Sequence, residues 1–117
     1  MHEYPLAQSI IQTVEEYARA QGAAEVCAIH LVVGEQAGCV TDSLRLYFDI
    51  IAQGTLCENA RLQIRPVTPK LRCPKCGQLF VRNPFSFACP RPGCPGEGLP
   101  TEIGKEFYIE SIEITTA

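Results

Sequence analysis

Four cysteines, Cys73, Cys76, Cys89 and Cys94, fall within 22 residues of this 117-residue chain. No other feature constrains its folding more. A stretch of about 30 residues is too small to bury a stabilising core on its own, so residues 70–100 need a cross-link. The first pair, Cys73-Pro74-Lys75-Cys76-Gly77, has the two-residue gap that lets both thiolates grip one ion from a tight turn. In the second, Cys89-Pro90-Arg91-Pro92-Gly93-Cys94, the gap is four, and twelve residues separate the pairs. Four thiolates suit tetrahedral Zn²⁺, with iron the chemical competitor. The only histidines are His2 and His30, both distant in sequence. A closed site of this kind reads as structural, because it leaves no position for a substrate.

A disulfide framework is the other use of clustered cysteines, and it fits less well. Seven cysteines is an odd number, and Cys27, Cys39 and Cys57 are scattered. The chain opens Met1-His2-Glu3-Tyr4-Pro5, without a basic stretch leading into an apolar one. A cytoplasmic location is therefore expected, where thiols stay reduced and bind metal. No apolar run approaches the roughly 18 residues of a membrane span.

Charge divides the chain in the same place. Within residues 70–100, Lys70, Arg72, Lys75, Arg82 and Arg91 face only Glu97, which gives +4 and leaves −7 for the rest of a chain of net charge −3. An overall acidic chain argues against nucleic-acid binding across its whole surface. A zinc ribbon that binds RNA or DNA, or serves as an adaptor, is still the rival reading, since Phe80, Phe85 and Phe87 surround Arg82.

Outside that segment the hydrophobic pattern predicts an α+β fold. Leu6, Ile10, Val14, Tyr17 and Ala18 recur at helical spacing over 5–20, with Pro5 in the first turn. Residues 26–33 (VCAIHLVV) read as a strand with Ile29, Leu31 and Val33 on one face and Val26, Ala28, His30 and Val32 on the other. A second helix is expected over 43–53, capped by Thr41 or Asp42, with Leu44, Tyr47, Phe48 and Ile51 inward. A second strand spans 60–64 and should stop at Pro66. In the third, 106–114, Phe107 and Ile109 share one parity while Ile112 and Ile114 share the other, so either a bulge near Glu110-Ser111 or a strand buried on both faces is expected. This gives a small three-stranded sheet packed by two helices, residues 1–69 completed by 101–117, with a four-cysteine module, 70–100, inserted between the second and third strands.

A second metal constellation stands at the N-terminus. The Met1 amine, His2 and the intervening amides offer nitrogen donors suited to Ni²⁺ or Cu²⁺ in square-planar or tetragonal geometry. Glu3 could add an oxygen or orient the imidazole. Elsewhere the chain carries no Ser-His-Asp or Cys-His arrangement and no phosphate-binding glycine loop, so no catalytic residue is assigned and an enzyme is not expected. His30 reads as a half-buried strand residue, and Cys27 and Cys57 as small packing residues. Cys39, in the loop before the second helix, is a packing residue with the chemistry of a soft ligand. Glu15-Glu16 reads as a solvated helix face.

Met1-His2-Glu3, the following helix, Gly34-Glu35, the run from Val40-Thr41-Asp42-Ser43-Leu44 to Phe48, the two cysteine pairs, and Gly104-Lys105-Glu106-Phe107 through Ile112-Glu113 occur in that order. Together they resemble the HypA/HybF family of nickel metallochaperones over essentially the whole chain. The resemblance implies a nickel domain with an inserted zinc domain, and nickel delivery during [NiFe]-hydrogenase maturation, in some organisms also urease. It implies Ni²⁺ as cargo at His2 and Glu3, to which the donor reading adds the Met1 amine, and structural Zn²⁺ at Cys73, Cys76, Cys89 and Cys94. Its partners would be the GTPase HypB and the hydrogenase large-subunit precursor, with the carrier itself a monomer or homodimer. This sequence departs from the family at the second cysteine pair, usually two residues apart, so that turn cannot copy the first.

Overall fold

The structure, a computed structural model, describes residues 2–116. Its elements are α1 (Glu3–Ala20), β1 (Ala23–Gly34), α2 (Thr41–Ile51), β2 (Arg61–Val67), β3 (Leu71–Arg72), β4 (Leu79–Phe80), β5 (Leu99–Pro100) and β6 (Phe107–Thr116). They form two separate three-stranded sheets, ordered β2-β1-β6 and β4-β3-β5. This is the expected α+β architecture, drawn out to 60 × 25 × 16 Å.

In the larger sheet β1 is central. It runs parallel to β2, with α2 in the connection between them, and antiparallel to β6. Both helices cover one face. Ala7, Ile10, Ile11, Val14 and Ala18 of α1 and Leu44 and Phe48 of α2 meet Ile29, Leu31 and Val33 in one core. Val26 joins them, against its expected parity, because the β1–β6 register shifts between Val26 and Ala28. The bulge expected in the third strand is present. Ser111 pairs with His30 and Ile109 with Leu31, leaving Glu110 as the extra residue. Phe107, Ile109, Ile112 and Ile114 therefore all pack against the core.

Several boundaries differ from the sequence expectation. Helix α1 begins at Glu3, two residues early, so Pro5 is its third residue, still within the turn whose N–H groups have no helical partner. Strand β2 continues through Pro66 to Val67. As the sheet's edge strand it can hold a residue with no N–H to donate. Helix α2 starts at Thr41 with Val40 as its N-cap and no side-chain cap, so neither Thr41 nor Asp42 fills that role. Glu15 is more than a solvated residue: its carboxylate accepts from the Leu56 N–H (3.3 Å) and pairs with Arg19 (2.9 Å).

The opposite face of the sheet has no helix and is laced with charge. Arg65 pairs with Glu110 at 2.8 Å, and His30 Nε2 meets a Glu113 oxygen at 2.6 Å. The hydrogen bond with His30 holds the Glu113 carboxyl below the usual carboxylate range. Ala28 and Val32 lie buried between these pairs. Among the described residues no helix is long and apolar enough to cross a membrane.

The end of β1 is tied to the segments that lead into and out of the smaller sheet. Gly34 N–H donates to Glu106 O (2.7 Å), Glu35 N–H to Val67 O (3.0 Å) and Gln36 N–H to Gly104 O (2.7 Å). A Cβ on Gly34 would lie 2.1 Å from the Gly104 oxygen, so only glycine allows the two backbones to approach this closely.

Candidate metal centres

The short strand β3 lies between β4 and β5 and leads straight into Cys73. Cys73 N–H donates to Gln78 O (2.9 Å) and Gly77 N–H donates back to Cys73 O (2.8 Å), closing the first turn around Cys76. The second turn solves its longer gap differently. Cys94 N–H donates to Arg91 O (3.1 Å), while Cys89 N–H reaches past the turn to Gly96 O (2.9 Å). Each turn uses a glycine at φ +78°, but Gly77 follows its second cysteine and Gly93 precedes it. The extra residues thus bow outward, and Cys94 is still delivered to the centre.

The four sulfurs lie within 4.8 Å of one another. Cys73 to Cys94 and Cys76 to Cys89 are each 3.6 Å. Four bonds of about 2.3 Å to a tetrahedral ion would set sulfurs about 3.8 Å apart, so the donor set fits such an ion with little movement. Backbone N–H groups favour a thiolate at Cys73. The Cys76 amide contributes most, and the thiol is brought down to about 6. At Cys89 the Arg91 amide acts in the same sense, but burial and the three neighbouring thiols outweigh it and push the group up to about 12. Among the described residues, the only other buried side chains around the centre are Leu71 and Phe80. Gly96 and Gly98 pass too close to Cys73 Sγ and to Phe80 and Leu71 for any Cβ.

The N-terminal residues are placed on the first turn of α1, beside the loop that joins β1 to α2. Met1 lies outside the described residues. His2 is exposed and occupies the N-cap position without a side-chain cap bond. Glu3 reaches across to accept from the Val40 N–H at 3.3 Å, tying α1 to the start of α2. Tyr4 and Tyr47 reinforce that tie, their rings meeting edge-on at 5.5 Å. Cys39 is held in the same corner. Its thiol is raised chiefly by burial and next by the Glu3 carboxylate. No pattern in the residues signals that Cys39 and Glu3, 36 positions apart, share a neighbourhood; pairing α1 with the α2 loop is a tertiary event. Cys57 is fully buried and its thiol is pushed up to about 11 by that burial, as a packing residue should be. His30 lies on the charged sheet face and takes no part in either centre.

A family model described as "Hydrogenase/urease nickel incorporation, metallochaperone, hypA" matches residues 1–114. The hydrogenase maturation factor HypA of Caldanaerobacter subterraneus subsp. tengcongensis is 38% identical over 115 residues, covering 97% of this chain and 99% of that protein. The HypA of Dehalococcoides mccartyi is 35% identical over 114 residues, covering 97% and 94%. The solution structure of the Ni metallochaperone HypA from Helicobacter pylori aligns over 100% of both chains with a TM-score of 0.66 and 25% identity. A second solution structure, of a HypA protein, shares the fold with a TM-score of 0.73.

Proposed function

This chain belongs to the HypA family of nickel metallochaperones that serve hydrogenase maturation, and from that premise we propose that it carries Ni²⁺ on Met1, His2 and Glu3. In this reading the α-amine, the His2 imidazole and backbone amides supply nitrogen donors, while Glu3 supplies a carboxylate. Residues 1–69 with 101–117 form the nickel domain, and residues 70–100 a zinc domain that shapes the protein. Cys73, Cys76, Cys89 and Cys94 hold Zn²⁺ with all four positions filled by protein, so the ion contributes folding rather than chemistry. The chain works in the cytoplasm as a carrier without catalysis. It receives or passes nickel with the GTPase HypB and delivers it to the hydrogenase large-subunit precursor, and in organisms that make urease to that enzyme as well.

The observation that carries the nickel assignment is the exposed His2 immediately before the first turn of α1, beside Glu3. A carrier must hold its ion and also give it up. The positive pole of a helix N-terminus works against a bound cation, and an exposed site is open to an incoming ligand from a partner. The Glu3 carboxylate offsets the first effect.

Calorimetry with Ni²⁺ tests this on three proteins: untagged, tagged ahead of Met1, and His2→Ala. Binding is expected only in the untagged protein, because a tag turns the amine into an amide. The imidazole and α-amine bind a metal only through their deprotonated nitrogens. Both must lose a proton to bind, so affinity should fall as pH drops. Equal affinity in all three proteins would place the nickel elsewhere.

A further inference from the structure

We infer that the turn carrying Phe85, with the cations around it, is a docking surface for a client polypeptide whose contact face has an apolar pocket rimmed by carboxylates. The inference rests on the carrier reading above, since a carrier has to engage the protein it loads.

Phe85 is 96% exposed, an unfavourable place for a phenyl ring unless something else covers it. It does not hang on a loose loop. The Asn83 side-chain oxygen accepts the Phe85 N–H at 2.9 Å, the Asn83 carbonyl accepts the Ser86 N–H at 3.1 Å, and Ser86 Oγ accepts the Ala88 N–H at 3.0 Å. Pro84 stiffens the turn further. A ring presented in this way loses little freedom when it is buried by a partner, which is the property of an interface anchor. Val81 and Phe87 of the same segment are also exposed, as is Leu99 on β5. At the base, Lys70, Leu71, Val81, Arg82, Phe87 and Thr101 help line a cavity of about 300 Å³.

The charges specify the partner. The ion pairs of Arg19, His30, Arg65 and Lys105 all lie outside residues 70–100. Among the described residues none of the module's cations, Lys70, Arg72, Lys75, Arg82 or Arg91, has a carboxylate partner of this kind. Arg82 instead rests 4.2 Å above the Phe87 ring, which holds its guanidinium ready for an external carboxylate. Four bound thiolates and Zn²⁺ would still leave the segment net positive. A nucleic acid or an anionic membrane would also seek these cations. Both would be repelled by the −7 carried on the rest of the chain, and the Phe87 face a base would stack on is already covered by Arg82. A protein surface, whose acidic groups are confined to a patch, meets the module without meeting the rest.

The test measures binding of zinc-loaded full-length chain to the nickel-free hydrogenase large-subunit precursor, with nickel transfer followed in parallel. Phe85→Ala should weaken binding by about tenfold or more, as loss of an anchor does, while keeping its zinc and its amide spectrum. Arg82→Glu should weaken it similarly and flatten its salt dependence, and Arg82→Lys should restore most of it. Absence of precursor binding by the wild-type chain, or unchanged binding by both Phe85→Ala and Arg82→Glu, would overturn the inference. So would a single-stranded oligonucleotide or an anionic phospholipid vesicle that binds the wild-type chain through Phe85 more tightly than the precursor does. If the precursor docks through Phe85 but takes up no nickel, the docking surface stands and the carrier reading fails.

Discussion

Among the described residues, fourteen buried side chains from two helices, the large sheet and the α2–β2 connection pack into one core around Phe48; around Cys73 there are four, and two of those are cysteines. The strands differ in the same way. β1 and β6 run for 12 and 10 residues, while β3, β4 and β5 have two each. The first region is held by apolar burial spread over many contacts, any one of which can be weakened. The second, with so little apolar burial, would rest on an ion held by its four sulfur atoms, as proposed above. That contrast explains why the prolines and close-passing glycines of residues 70–100 are tolerable: where a metal supplies the cohesion, the backbone needs only to bring its ligands together.

The sharpest way to break the comparison is to remove the proposed metal. Structural Zn²⁺ sites supply roughly 10–16 kcal/mol, far more than Leu71 and Phe80 can replace. Chelation, or Cys73→Ala, should unfold residues 70–100 and leave both helices intact. Loss of module amide signals with unchanged helical circular dichroism checks this. A module that stays folded without metal would end the distinction between the two regions. Acid should act in the same direction, because the ion competes with protons for all four sulfurs.

The converse attack is on the packed core. Phe48→Ala should cost about 3–5 kcal/mol, lowering the unfolding midpoint of the large sheet and helices while leaving bound zinc unchanged. Urea denaturation followed by metal analysis separates the two. An intermediate effect is expected at the junction. Gly34→Ala forces a Cβ toward the Gly104 carbonyl, and overpacking of this kind costs about 1–3 kcal/mol. Faster amide exchange at Gln36 and Gly104 would report it.

The smallest effect lies on the charged sheet face. The Glu113 carboxyl is depressed by its His30 partner, so it binds protons more weakly in the folded than in the unfolded chain. Its stabilising contribution is present above its ordinary value of about 4.3 and is lost as pH falls through the lower folded value. Glu113→Gln should therefore lower stability slightly near neutrality and flatten the acid limb of a stability profile. A steeper acid limb would show that the pair is not stabilising.

Much of this was legible in the residues, and the exceptions have physical causes. Periodicity picked out both helices because each has one apolar face, while the central strand β1 showed itself as a short β-branched run buried on both faces. The parity change at Glu110 left two readings, a bulge or burial on both faces, and the register against β1 decided for the bulge. Pro66 misled because its cost depends on whether the strand is an edge, which is a property of the sheet. The cap of α2 misled because the local chemistry of Thr41 and Asp42 lost to a tertiary bond, Glu3 to Val40. The three two-residue strands left no pattern to find. The cysteine spacing named the ligands without saying how a four-residue gap would close, and the answer depended on which side of the second cysteine its glycine falls.

The pairing of β3 with β5 has a consequence for the ancestry and engineering of such a chain. Leu71 and Pro100 are opposite one another, and antiparallel partners of this kind have Cα atoms only about 5 Å apart. The residues between them therefore leave and return at nearly the same point. They form a cassette: the path from β2 to β6 spans almost the same gap whether the cassette is present, shortened to a tight turn, or exchanged for another closed unit. A chain built this way can change what it displays at its far end without disturbing the register of the sheet that carries the N-terminus.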